Sequence, residues 1–142
     1  MINLILIFFP YFLQASEVIA TSMVPRGLVV EINGRDFIVK TQAGTKVVIE
    51  FRRNGKFIEA SGKNLNQGDE IEPGDGLISL SSAAQAISTV SKVHKGYWTL
   101  EEDNELGWIY EFEEAIVSAK NGKLIKRMSS PSTLSDPEKL ID

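Results

Sequence analysis

"LVVEINGRDFIVKTQAGTKVVIEFRRNGKF", residues 28–57, consists of three apolar runs separated by glycine turns. Leu28, Val30 and Ile32 fall on one face of the first run, and Phe37, Val39 and Thr41 share a face of the second. Val47, Ile49 and Phe51 repeat the alternation in the third. Period-two alternation of this kind marks a strand that buries one face. Asn33-Gly34 and Asn54-Gly55 supply the positive φ angles that a tight hairpin needs, and Ala43-Gly44 turns the chain between them. The stretch therefore predicts an antiparallel meander. Its reverse face is not wholly polar, because Val29, Ile38 and Val48 alternate there too. That pattern asks for a cover over part of the face, by barrel closure or by the C-terminal half.

Following the meander, "LNQGDEIEPGDG" (residues 65–76) places Gly68-Asp69 before a predicted short strand at Glu70–Glu72, which Pro73-Gly74 ends. A meander closing with this "L..GD.I" pattern resembles small exported OB-like barrels over about residues 25–76. Such barrels bind oligonucleotides or oligosaccharides. The resemblance implies a ligand surface built from Phe51, Arg52, Arg53, Lys56 and Phe57, with an anionic glycan as the ligand. The plainer reading keeps Phe51 in the core and the basic residues in water.

Beyond residue 76 the period changes. In "LISLSSAAQAISTVSKV" (residues 77–93), Leu80, Ala83, Ala84, Ile87 and Val90 line a helical stripe, with Ser82 and Ser79 as competing N-caps. Gly96 ends the helical region, which puts His94 at the helix C-terminus, where a protonated imidazole would favour the dipole. Trp98 and Leu100 then alternate with Tyr97 and Thr99, and after a polar turn Trp108, Tyr110 and Phe112 share one face. Each aromatic can bury roughly 150–250 Å², so these rings are expected to dominate the core. Ile109, Glu111 and Glu113 occupy the reverse face, which suits solvent or a partner. Ala115, Val117 and Ala119 lead to the Asn121-Gly122 turn, and Leu124-Ile125 resume the sheet.

The order of elements over residues 77–128, with "LISLSSAAQAI", "WIYEFE" and "SAKNGKLIK" as matching stretches, resembles a PepSY domain. Two departures stand out: Ser118 occupies a position often acidic in that family, and only Glu113-Glu114 separate two of the strands. The resemblance implies a non-catalytic regulatory or inhibitory module. Related segments occur in propeptides of secreted thermolysin-type peptidases. The expected fold class is thus α+β, an N-terminal meander or small barrel followed by a helix packed on an antiparallel sheet.

The first residues read as a leader. The chain is apolar from Ile2 to Leu13 and then turns small and polar, with cleavage expected after Ala15 or Ala20. The apolar run is shorter than the roughly 20 residues of a spanning helix and contains Pro10, so no stable span is expected once the leader is removed. The expected organisation is a signal peptide at 1–20, a β module at 25–76, a helix-plus-sheet module at 77–130 and a Ser/Pro-rich tail at 131–142. Export places the protein in the periplasm or outside the cell. With no cysteine, disulfides and thiolate metal sites are excluded, and the core alone must hold the fold. About 120 residues after cleavage can bury roughly two-thirds of their unfolded surface.

Fifteen Lys and Arg against nineteen Asp and Glu give a net charge of −4, the wrong sign for a general nucleic-acid binder. A single histidine leaves no set for a catalytic zinc. "EEDNELG" (residues 101–107) offers oxygen ligands to calcium but lacks the alternating order of an EF-hand, so a solvated hairpin turn is expected. No Gly-x-Ser-x-Gly elbow, Ser-x-x-Lys pair or phosphate loop is present, and no cofactor or catalytic residue is assigned. The expected function is an exported regulatory binding protein of the bacterial envelope, with a peptidase among its candidate partners. Tyr97, Ile109, Glu111 and Glu113 are the expected contact residues. The alternative is a glycan-binding module using Arg52, Arg53, Lys56 and Phe57.

Overall fold

The structure, a computed structural model, describes residues 15–87 and 94–128. Its first element is helix α1 (Ala15–Met23), followed by strands β1 (Leu28–Asn33), β2 (Asp36–Lys40), β3 (Lys46–Phe51) and β4 (Phe57–Leu65). Helix α2 (Leu80–Gln85) then precedes β5 (His94–Asp103), β6 (Gly107–Phe112), β7 (Ala115–Ser118) and β8 (Leu124–Arg127). All eight strands form one sheet in sequence order, each antiparallel to the next. β1 and β8 are its two edges, so the sheet is open.

This architecture corrects the α+β expectation of a meander or small barrel followed by a helix packed on an antiparallel sheet. The two short helices pack on one largely all-β sheet. The difference turns on β4, whose sequence FIEASGKNL lacks a clear apolar alternation. It lies between β3 and β5 and joins the two halves of the chain edge to edge. Small residues suit that central place. A Cβ at Gly62 would stand 2.8 Å from the Trp98 ring, so only glycine lets the indole cross the strand there. The predicted strand at Glu70–Glu72 is instead a linker: Glu72 N–H donates to Met23 O at 2.7 Å, and Leu80 N–H donates to Ile71 O at 3.0 Å.

One face of the sheet carries the core. Phe37, Val39, Val47, Ile49, Phe51, Ala60, Trp98, Leu100, Tyr110, Phe112 and Val117 are buried there, as the alternation predicts. Ala20, Met23 and Val24 close it from the α1 side, and Leu80, Ala83 and Ala84 from α2. Ser79 is the N-cap of α2, its hydroxyl accepting from Ser82 N–H at 3.3 Å, and the helix stops at Gln85 with Ile87 in a turn. Val90, the last position of the predicted stripe, lies outside the described residues, as do the leader through Gln14 and the tail from Ser129. No helix among the described residues is long and apolar enough to cross a membrane.

Two expectations about faces are also corrected. Leu28, Val30 and Ile32 are exposed, because β1 is an edge strand and bulges between Val29 and Glu31. His94 opens β5 and is buried against Phe112, with ring centroids 4.7 Å apart, and Gly96 sits inside that strand at φ 106°. Burial lowers the His94 pKa, outweighing the opposite pull of Glu114 and Glu113. The Asn121-Gly122 turn joins β7 to β8, with Gly122 at φ 75° donating to Ser118 O at 2.9 Å.

Candidate binding groove

An aromatic series runs from the core to the surface. Phe37 meets Phe51 edge to face at 5.5 Å, Phe51 meets Phe57 at 6.2 Å, and Phe57 stacks on Trp108 at 5.5 Å with an interplanar angle of 10°. Offset stacked and edge-to-face pairs are the favoured aromatic arrangements, so the series holds its last pair firmly. Phe57 and Trp108 are only half-buried, and they floor a groove of about 800 Å³.

Five segments build its walls. α1 contributes Ile19, Ser22 and Met23; the β3–β4 turn contributes Gly55 and Lys56 beside Phe57; the linker contributes Pro73, Asp75 and Leu77. Glu102 near the end of β5 and Lys120 in the β7–β8 turn complete the rim. Gly55 adopts φ 88°, which allows the tight turn that carries Lys56 and Phe57.

The linker is held from both ends. Thr41 and Thr45 hydroxyls each donate to the buried Asp69 carboxylate at 2.6 Å. The neighbouring Glu70 carboxylate accepts from Ser81 N–H at 2.9 Å and from the Ser81 hydroxyl. Tyr110 donates its hydroxyl to Ile78 O at 2.7 Å, while Ile78 N–H donates to Ala119 O at 2.7 Å. Burial, reinforced by Glu70, raises the Tyr110 pKa far above its ordinary value, so the phenol keeps the proton this bond uses. Fixed this way, the groove needs little ordering to receive a ligand.

The sequence-predicted residues divide. Lys56 and Phe57 enter the groove, whereas Arg52 and Arg53 are exposed in the hairpin turn and do not line it. On the opposite face of the sheet, Tyr97, Thr99, Glu101, Glu111 and Glu113 line a shallow hollow of about 220 Å³. Tyr97 is 62% exposed, with the Lys63 ammonium 5.5 Å from its ring centre, and its N–H donates to Glu113 at 3.0 Å. Ile109, expected as an exposed contact, is 3% exposed and withdrawn from any partner surface. In the 101–107 segment, Asp103 accepts from the N–H groups of Glu105 and Leu106, each at 2.9 Å, as in an ordinary turn. No metal-ligating group of three side chains occurs among the described residues. Sequence reasoning missed Lys120, Asp75 and Glu102 as groove residues; nothing in their local pattern places three turns and loops around one aromatic pair.

The fold and the groove define this chain as an open antiparallel β-sheet protein with an aromatic-floored surface groove. No family model, curated protein or solved structure matches it.

Proposed function

We propose that this chain is an exported, non-catalytic regulatory binding protein of the bacterial envelope, and that its groove receives an extended segment of a partner protein. The observation that carries this reading is the Phe57–Trp108 pair, half-buried at the bottom of a groove rimmed by Lys56, Lys120, Asp75 and Glu102. A mostly apolar floor with a few convergent polar groups is the usual chemistry of a binding site. An apolar side chain rests on the ring pair, and charges of both signs suit a peptide better than a polyanion. The PepSY-like stretches at 77–128 support the regulatory part of the reading, and peptidases are the partner class that resemblance brings with it. The anionic-glycan alternative is weakened because only two of its four residues, Lys56 and Phe57, reach the groove.

Titration with short peptides carrying a central Leu or Phe, read by tryptophan fluorescence, tests the proposal. Trp98 is buried, so the response reports Trp108. Trp108→Ala is expected to weaken peptide binding at least about tenfold, which corresponds to about 1.4 kcal/mol, and Arg52→Ala to leave it unchanged. If acidic oligosaccharides bind instead, with loss in high salt and on replacing Arg52 and Arg53, the glycan reading takes its place.

A further inference from the structure

The outer face of the sheet, away from both helices, carries its charges in rows that cross the strands. Asp36 on β2 stands opposite Glu50 on β3, Glu50 opposite Glu59 on β4, and Glu59 opposite Glu101 on β5. Four residues away along β2, Lys40 stands opposite Lys46. Lys46 in turn lies beside Lys63, one step past the Val47–Gly62 pair, and Lys63 stands opposite Tyr97. Between the acidic and basic rows runs a neutral one, Ile38–Val48–Ser61–Thr99, in direct register.

Like charges placed directly opposite each other destabilise a sheet, so both rows cost folding energy. Neither row is neutralised by an ion pair among the described residues. The one contact within 4 Å between a basic and an acidic side chain among the described residues joins His94 and Glu114 at 3.8 Å, and it is an ion pair only when the buried imidazole is protonated. The basic side chains in the adjoining turns, Arg35, Arg52 and Arg53, form no ion pair with the acidic row. Both helices pack on the inner face, so no described helix or strand covers these rows.

We propose that the outer face of β2–β5 is a homodimer contact, in which a second copy of this chain docks face to face across a two-fold axis running along the neutral row. That axis is the one that complements the charges. It reverses the strand direction while keeping each strand over its own counterpart. Lys40 then faces Asp36 of the second copy, Lys46 faces its Glu50, and Lys63 faces its Glu59. Ile38 and Val48 meet themselves at the centre, and the strands of the two sheets run nearly aligned, as stacked sheets commonly do. An axis parallel to the strands would set lysine on lysine and acid on acid.

Strand and residue spacings give the charged patch a span of about 15 by 13 Å. This is smaller than the roughly 800 Å² per partner of a standard interface, so the dimer is weak and governed by charge. Both grooves stay open, because they lie against α1 on the inner side. A dimer therefore offers two grooves to a partner that holds two segments, and gains avidity from the linkage.

Sedimentation equilibrium of the protein isolated from cells tests the contact. A monomer–dimer equilibrium is expected at low salt, shifting to monomer in about 1 M salt, where the screening length falls to about 3 Å. Lys46→Glu and Glu50→Lys are each expected to weaken self-association at least about tenfold, since each sets two like-charged pairs across the axis. Both changes also break a same-charge row, so folding is preserved, as circular dichroism would verify. An equimolar mixture of the two variants is then expected to form a heterodimer, because every facing pair is complementary again. A protein monomeric under all conditions overturns the proposal. So does a dimer indifferent to salt and to both variants, or a mixture of variants that stays monomeric.

Discussion

Trp98 and Thr99 are consecutive residues of β5, and they inhabit different worlds. Trp98 lies on the inner face, 1% exposed, its indole N–H donating to Asn64 O at 3.2 Å and its ring against Gly62. Thr99 lies on the outer face between Ser61 and Glu111, and its hydroxyl has no hydrogen-bond partner among the described residues. The inner face is filled by rings and branched side chains, although His94 Nε2 lies buried there without a hydrogen-bond partner among the described residues. The outer face instead carries charges without an ion-pair partner among the described residues, and an unused hydroxyl. A sheet needs one such packed face to fold; chemistry on the other is free to serve something else.

Replacing Trp98 by Ala is the strongest way to break the inner face. It should cost about 3–5 kcal/mol in a denaturant titration, the range for emptying an aromatic site in a core. Thr99→Val, one residue along, should stay within about 0.5 kcal/mol, because it removes a group that is buried without a partner. A comparable loss at both positions would show that the outer face is as tightly packed as the inner one.

A chain beginning at Thr21 tests the α1 side of the same core. Ala20 is fully buried and Ile19 walls the groove, so cleavage after Ala20 removes a core residue and most of a helix, whereas cleavage after Ala15 spares both. The shorter chain should be less stable by about 2 kcal/mol, the scale of one lost buried contact together with a helix too short to renucleate. Equal unfolding midpoints for the two chains would show that α1 adds nothing to the core.

The smallest effect sharpens the outer-face side of the comparison. Burial is the first cause raising the Glu50, Glu59 and Glu101 pKa values above the ordinary 4.5, with neighbouring carboxylates adding to it. The folded row therefore holds protons more tightly than the unfolded chain, and stability rises as pH is lowered from 7 toward 4.5. His94 acts in the opposite sense. Its lowered pKa means that its contribution is present above 6.5 and is lost as pH falls below that value. Glu59→Gln should add about 0.5 kcal/mol at pH 7, the scale of one cross-strand pair, and flatten the rise on acidification. A pH profile parallel to that of the unaltered protein would show that Glu59 does not feel the row.

The meander was legible because Phe37, Val39, Val47, Ile49 and Phe51 alternate cleanly and glycine turns punctuate them. Trp98, Leu100, Tyr110 and Phe112 were legible as core for the same reason. β4 was not, since a central strand beneath Trp98 needs Ala60 and Gly62 rather than bulky apolar residues, and their spacing gives no periodic signal. Lys56 and Phe57 were picked out by composition, and their neighbours Asp75, Glu102 and Lys120 carried no local mark.

The sequence by itself therefore determined the alternating faces, the hairpin turns, the absence of disulfides and the aromatic residues that would fill a core. Periodicity and turn chemistry act over a few residues, and a linear reading captures them. Which strands would join was decided only by tertiary structure, because β4 and β5 meet across nearly thirty intervening positions, from Leu65 to His94. The groove and the charged rows arose in the same way. Each is assembled from residues far apart in the chain that share a neighbourhood only once the sheet's register is fixed.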